Sequence, residues 1–328
     1  MASIKYNNVY INDSFSVAGP REKEGQIKNF DITLEDFYYD EDTFEKAEVR
    51  MQRSVVDNLL IRNKLSSSKI DFVVGGELSN QLAITSYAMR NYPIPLLGVY
   101  SACATFVQSL IICSNLVNNK QIRRAIALTS SHNLVAEKQF RYPVEYGAPK
   151  PLRSTFTATG SVGALVSNVK SKIKIESSTI GKIIDMGIED VFHMGAVMAP
   201  AAVSTLIAHL AELKRDINYY DLILTGDLGK YGVEIFKEFL YETSKIKCKK
   251  HLDAGCELFK ESQDLGAGAS GPVAQPLVLF SKILKQNKYK KILVIGTGSL
   301  HSPASVNQKN TIPAIAHAVS LEVEKWYF

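Results

Sequence analysis

Three stretches of the 328-residue chain carry residues able to do chemistry. In YSACATF, Cys103 follows one apolar run and opens another, so it lies where a strand passes into a helix. A helix start carries partial positive charge and free N–H groups, which favour a thiolate or a bound anion. The position equally suits a small apolar cap beneath a packed helix, because free Cys is among the most buried residue types. In SSHNLVAEKQFRYPVEYG, Ser130 and His132 stand at a strand end, and a polar loop follows with Arg141, Tyr142, Glu145 and Tyr146. Guanidinium binds a carboxylate as a two-pronged fork and aromatic rings stack on flat faces, so this set suits a planar anion. Pro143 and Gly147 equally suit a turn-forming surface loop. In TGDLGKYG and DLGAGASGPVAQ, glycines let backbone approach a ligand, Asp227 can accept a hydrogen bond or contact a metal, and Ser270 sits in the second turn. Tight helix–strand packing accounts for the same glycines.

The remaining reactive groups exclude more than they suggest. Cys103, Cys113, Cys248 and Cys256 are widely spaced without a CxxC, which argues against zinc and a disulfide framework and fits a reducing compartment. His193, His209, His251 and His317 have no paired metal spacing, and no metal or cofactor is expected. Lys23, in the charged turn PREKEG, is a weaker anion contact because such turns are usually solvated. Net charge is +5, and the Lys and Arg are dispersed, so no nucleic-acid footprint is expected; weak attraction to an acidic membrane surface or a small anion is compatible. MASIKYNNVYINDS lacks an apolar signal core. The longest apolar run, residues 195–210, contains Pro200 and falls short of the roughly 20 residues of a membrane span, so it reads as a loop leading into a buried helix.

The elements that must position these stretches alternate. Residues 41–64 carry Phe44, Ala47, Met51, Val55 and Leu59 at helical spacing. IDFVVGG reads as a buried strand, Ser79 as the cap of the next helix, PLLGVY as a strand, CATFVQSLIICSNLV as a helix and RRAIALTSS as a strand. The second half repeats this order. YDLILTGDL matches IDFVVGGEL, with Asp221 on Asp71, Gly226 on Gly76, Asp227 on Glu77 and Leu228 on Leu78. The helices GVEIFKEFLYETSK and PVAQPLVLFSKILK and the strand KKILVIGTG then follow. The reading is an α/β fold of two duplicated halves, 1–169 with an N-terminal extension and 170–328. Parallel sheets should be covered by helices on both faces. Sites gather at the carboxyl ends of such strands, where all three reactive stretches fall.

A Cys at a helix start inside a duplicated α/β unit resembles the thiolase and ketoacyl-synthase superfamily, whose five-layer fold is built from two such halves. Within it, VAGPREKEG, TSSHNLVAEKQFRYPVEYG, IDMGIEDVFHMGAVMAPAA, YDLILTGDL and QKNTIPAIAHAV resemble the stage V sporulation protein AD family over essentially the whole chain. The resemblance implies a non-catalytic protein that binds dipicolinic acid (pyridine-2,6-dicarboxylate) or its calcium chelate. It also implies a partnership with the membrane subunits of a sporulation channel and a soluble, intracellular chain peripheral to the spore inner membrane. The superfamily commonly pairs through a first-half edge strand, so a homodimer is compatible.

Condensing relatives need a Cys with His–His or His–Asn partners. This chain has Gly226–Asp227 where the second-half strand would deliver a His, and GAGASGP where a His or Asn would follow. His301 is present in GTGSLHSP without a second Cys. Ser101 stands where Gly is more usual, and HLDAGCELF departs from the family order. The expected ligand contacts are Arg141 as the fork, the Cys103 helix start as N–H donor, Tyr142 as the stacking face and His132 as a carboxylate donor. Ser130, Glu145, Asp227, Ser270 and Lys23 complete the set. The alternatives are an acyl-condensing enzyme, with Cys103 as nucleophile and His132 or His301 as base, and a scaffold for the membrane partners.

Overall fold

The structure is a computed structural model describing residues 1–140 and 149–324. Ten strands form its backbone: β1 (Tyr10–Ala18), β2 (Phe72–Gly76), β3 (Leu96–Gly98), β4 (Arg124–Ser131), β5 (Gly160–Ser167), β6 (Ile173–Ile180), β7 (Leu222–Thr225), β8 (His251–Asp253), β9 (Lys291–Ser299) and β10 (Ala314–Val323). Their order is β8-β7-β9-β10-β6-β1-β5-β4-β2-β3. It reads the same from either end once β1 is set on β6, β2 on β7, and so on. The repeated phrases RRAIALTSS and KKILVIGTG are therefore β4 and β9, the central strands of two copies of one unit. The copies meet through a short antiparallel contact, Tyr10 against Lys174 and Ile11 against Ile173.

The sheets differ from the all-parallel reading. In each half three strands are parallel, β3-β2-β4 and β8-β7-β9. The next pairs, β4 with β5 and β9 with β10, are antiparallel. Apolar runs reveal burial on both faces but carry no mark of strand direction, which the connections decide.

Burial on both faces follows the period of two. In β4, Ala125 and Ala127 join the central core while Ile126 and Leu128 face the outer core of the first half. In β9, Ile292 and Val294 face the centre while Leu293 and Ile295 face the outer core of the second half. The outer cores are closed by α1 (Phe44–Arg62) with α2 (Ala83–Met89), and by α5 (Met194–Leu213) with α6 (Gly229–Ser244). The centre holds α3 (Thr105–Asn118) against α7 (Ala274–Val278) and the helical turn Leu279–Ile283 after it, where the rings of Phe106 and Phe280 meet edge to face at 5.9 Å. Helices, sheet, helices, sheet, helices make the five layers.

Several local readings shift. α1 is capped by Thr43, whose hydroxyl accepts from Lys46 N at 3.3 Å. Ser79 caps nothing. Its hydroxyl is buried without a partner, and α2 starts only at Ala83, after Gln81 and Leu82 take left-handed backbone. PREKEG forms a short helix, Pro20–Glu24. The apolar run at 195–210 is helix throughout, with Pro200 inside α5. Pro200 removes one backbone donor. The helix persists because Val197, Met198, Ala201, Ala202 and Leu206 pack into the outer core. α5 is long and apolar enough to cross a membrane by composition, and it is largely buried within the fold.

Candidate functional site

Cys103 lies in the turn Ala102–Ala104 that leads into α3, between the two halves. Ala102, just before it, has φ of 47°, a left-handed conformation that costs an L-residue about 1–3 kcal/mol and persists where surrounding structure imposes it. The second half supplies what faces the thiol. Asp227 follows β7, as the aligned repeat required, and is fully buried. Its Oδ1 accepts from the Thr297 hydroxyl of β9 at 2.8 Å, and its Oδ2 from Gly271 N at 3.2 Å. The Cys103 thiol donates to the same carboxyl, and the Gly271 N–H also reaches the sulfur. A Cβ at Gly226 would stand 2.5 Å from Thr297 Oγ1, so glycine there leaves room for the hydroxyl that holds Asp227. Gly271, at φ of 95°, turns its N–H inward by a conformation natural to glycine.

This electrostatic setting is opposite to that of an activated cysteine. Burial, then the charge and hydrogen bond of Asp227, push the Cys103 thiol well above its ordinary range, with the Gly271 N–H pulling the other way. Burial pushes Asp227 itself up to about 7, with nearby Asp253 adding; Cys103, Thr297 and Gly271 oppose. The thiol therefore stays protonated at neutral pH. Removing the carboxyl should release it. A like charge in contact moves a pKa by about 1–3 units, and about half of that is returned as lower nucleophilicity of the thiolate. Asp227→Asn should therefore speed carbamidomethylation of Cys103 by iodoacetamide about tenfold at neutral pH. Peptide mass spectrometry separates Cys103 from the other three cysteines. An unchanged rate would show that burial alone protects the thiol.

Above Cys103 lies a cavity of about 40 Å³ walled by Tyr100, Cys103, Phe140, Ser270, Gly271 and His301. Phe140 ends α4 (Asn133–Phe140), and its ring lies 5.4 Å from that of His301. Ser299 meets His301 Nδ1 at 3.1 Å. Among the described residues no group of His, Cys, Asp and Glu could hold a metal ion.

Of the sequence-derived set, Cys103, Asp227 and Ser270 come together here. Arg141, Tyr142 and Glu145 lie outside the described residues. Three others are placed elsewhere. His132 is buried, with Nε2 against Phe37 O at 2.8 Å and Nδ1 accepting from Leu134 N at 3.2 Å. Its ring packs on Phe37 and Phe44, and burial pushes it down to about 4, so it holds α1 to the strand end. Ser130 donates to buried Glu48 at 2.7 Å and accepts from Gln52 at 2.8 Å, on the outer face of β4. Lys23 pairs with Glu35 at the surface, 2.5 Å away. Thr297, Gly271, Tyr100 and Phe140 were not anticipated. The glycine-rich turn signalled Gly271, and the repeated strand end signalled Thr297; nothing local marks the two rings.

A cysteine on a left-handed turn, at a helix start between two copies of an α/β unit, defines a thiolase-like protein. Solved structures agree. 3-oxoacyl-[acyl-carrier-protein] synthase III of Aquifex aeolicus matches with a TM-score of 0.56 at 12% identity, over 96% of this chain and 99% of its own. Cerulenin-bound OleA of Xanthomonas campestris matches at 0.62 and 15%, over 98% of both chains. Sequence narrows the class: the model of Stage V sporulation protein AD matches residues 2–322, and the chain belongs to that family. It is 40% identical to Stage V sporulation protein AD of Bacillus subtilis (strain 168) over 318 residues, 96% of this chain and 94% of that protein.

Proposed function

We propose that the chain is a non-catalytic binding protein for dipicolinic acid or its calcium chelate. It acts with the membrane subunits of a channel complex, in uptake of the acid into the forespore and its release on germination. It does so as a soluble chain peripheral to the spore inner membrane. The observation that carries the non-catalytic half is the Cys103–Asp227 contact: an activated cysteine has its thiol pulled down by a neighbouring cation or imidazolium, whereas burial and this carboxyl push the Cys103 thiol up. The ligand half is supported by family membership and by the cavity, which offers Tyr100, Phe140 and His301 as flat faces and the Cys103 helix start as donor. Titration calorimetry with dipicolinate, with and without calcium, tests it. Absence of binding at millimolar ligand would favour the scaffold reading. Incubation with acyl-CoA followed by intact mass tests the condensing alternative, which requires a stable acyl adduct on Cys103.

Pairing of two copies is part of the proposal. Among the described residues no strand pairs with the outer edge of β3, and Leu96 and Leu97 on it are 37% and 45% exposed. An unpaired apolar edge is a ready template for a second strand. The chain should run as a dimer in sedimentation velocity, and Leu97→Lys should convert it to monomer at micromolar concentration. A parent that sediments as monomer overturns the pairing.

A further inference from the structure

We propose that the proton on Asp227 decides whether the cavity admits an anion: protonated Asp227 leaves the site open to carboxylates, and ionised Asp227 repels them. Its consequence for dipicolinate rests on the function proposed above; the gate itself does not.

The argument is geometric first. Asp227 stands directly behind the cavity wall, bonded to two residues that line it, Cys103 and Gly271. An anion resting against those residues is one sulfur atom from the carboxyl. Among the described residues no Lys or Arg lines the cavity to offset a charge there. The other titratable groups facing this region are few. Tyr100, Glu137 and His301 line the cavity, Glu137 pairs with Lys150 at 2.8 Å, and His301 rests on Ser299 and Phe140. On the far side stands Asp253, its oxygens taken by the Thr225 hydroxyl at 2.7 Å and by Leu228 N and Gly229 N, each at 3.0 Å, at the start of α6. Two carboxyls thus share a dry region, and the helix-start donors belong to Asp253. The arrangement favours a proton on Asp227. Burial places its titration at about 7, so its charge turns over across the neutral range.

Cys103 is a reporter built into the site. Iodoacetate and iodoacetamide both attack as electrophiles on the thiolate and differ in charge, so the ratio of their rates at Cys103 cancels the thiolate fraction. On the full-length chain, site-specific mass spectrometry should show the iodoacetate-to-iodoacetamide ratio falling about tenfold as pH rises from about 6 to 8.5, the size expected of a like charge in near contact. In Asp227→Asn the ratio should stay flat. A flat ratio in the parent overturns the gate. A fall that survives in Asp227→Asn also overturns it and assigns the charge to His301, a reading His301→Gln then checks. In calorimetry, dipicolinate affinity should weaken about tenfold over the same range in the parent and not in Asp227→Asn. A ratio that behaves as expected in a chain that binds no dipicolinate at any pH upholds the gate and removes the ligand proposed for it.

Discussion

Arg141→Ala should weaken dipicolinate binding about tenfold to a hundredfold. Dipicolinate is a flat dianion near neutral pH, and a charge-assisted hydrogen bond to a carboxylate is worth about 1.5–3 kcal/mol. The cavity walls among the described residues provide rings, hydroxyls and backbone donors but no Lys or Arg. A dianion held there needs a cation from beyond them. Arg141 follows Phe140 directly in sequence, and Phe140 closes the cavity at the end of α4. Arg141→Lys should recover only part of the loss, because an ammonium cannot reproduce a planar two-pronged contact. Pyridine-2-carboxylate, lacking one carboxylate, should bind more weakly to the parent and lose less on the substitution. Equal dipicolinate affinity in Arg141→Ala and the parent would move the anion contact elsewhere, with the turn around Asp227 next in line.

The central architecture was legible because it rests on apolar periodicity and on repetition, both local to the sequence. Burial of alternating residues of β4 and β9 in two different cores requires unbroken apolar runs, and those runs were visible twice. The match of Asp227 to Glu77 was also legible, and it holds in three dimensions: both follow equivalent strands, and both are buried. Their partners differ. Glu77 accepts from Thr85 and Ile84 N within its own half, whereas Asp227 reaches across to Cys103. Sequence could not say which copy would face the cysteine, because that depends on how the halves stack.

His132 lies away from the cavity for a related reason. Strand-end position brings a residue near the site rim, but the side chain alternates. Ser130 and His132 engage Glu48 and Phe37 on the side of α1, while Ser131 turns inward to Ala158 O at 2.7 Å. His301, just beyond β9, lines the cavity. His132 aligns with Ser299, so His301 stands two residues further along, past the end of β9, where strand alternation no longer sets the side a residue takes.

Stability should be highest on a plateau from about pH 4.5 to 6.5 and should fall by about 2 kcal/mol between pH 6.5 and 8. Burial is the leading cause on both sides. It pushes Glu22 up to about 7, Glu48 to about 8 and Asp227 to about 7. The folded state holds protons that the unfolded chain has released above about 4. These groups favour folding most below their unfolded values, and that contribution is lost as pH rises through the folded ones. Burial also pushes His132, His251 and His317 down to about 4 and His209 to about 3. There the unfolded chain binds the extra protons below about 6.5, so stability is lost as pH falls toward the folded values. Between about 4.5 and 6.5 the two sets oppose and nearly cancel; above it the carboxyls lose their protons while the last protons leave the unfolded histidines, which offsets about half of the fall. Urea unfolding at intervals across this range reads the profile directly. Glu48 titrates highest and is held by the Ser130 hydroxyl inside the first half, remote from the cysteine. Glu48→Gln should therefore remove most of the alkaline fall and tilt the plateau, so that stability rises by about 2–3 kcal/mol from pH 4.5 to 6.5, because one of the carboxyls that offset the histidines is gone. A parent whose stability is level from pH 6.5 to 8, or a Glu48→Gln variant with the parent's alkaline slope, would show that the buried carboxyls release their protons without cost to the fold.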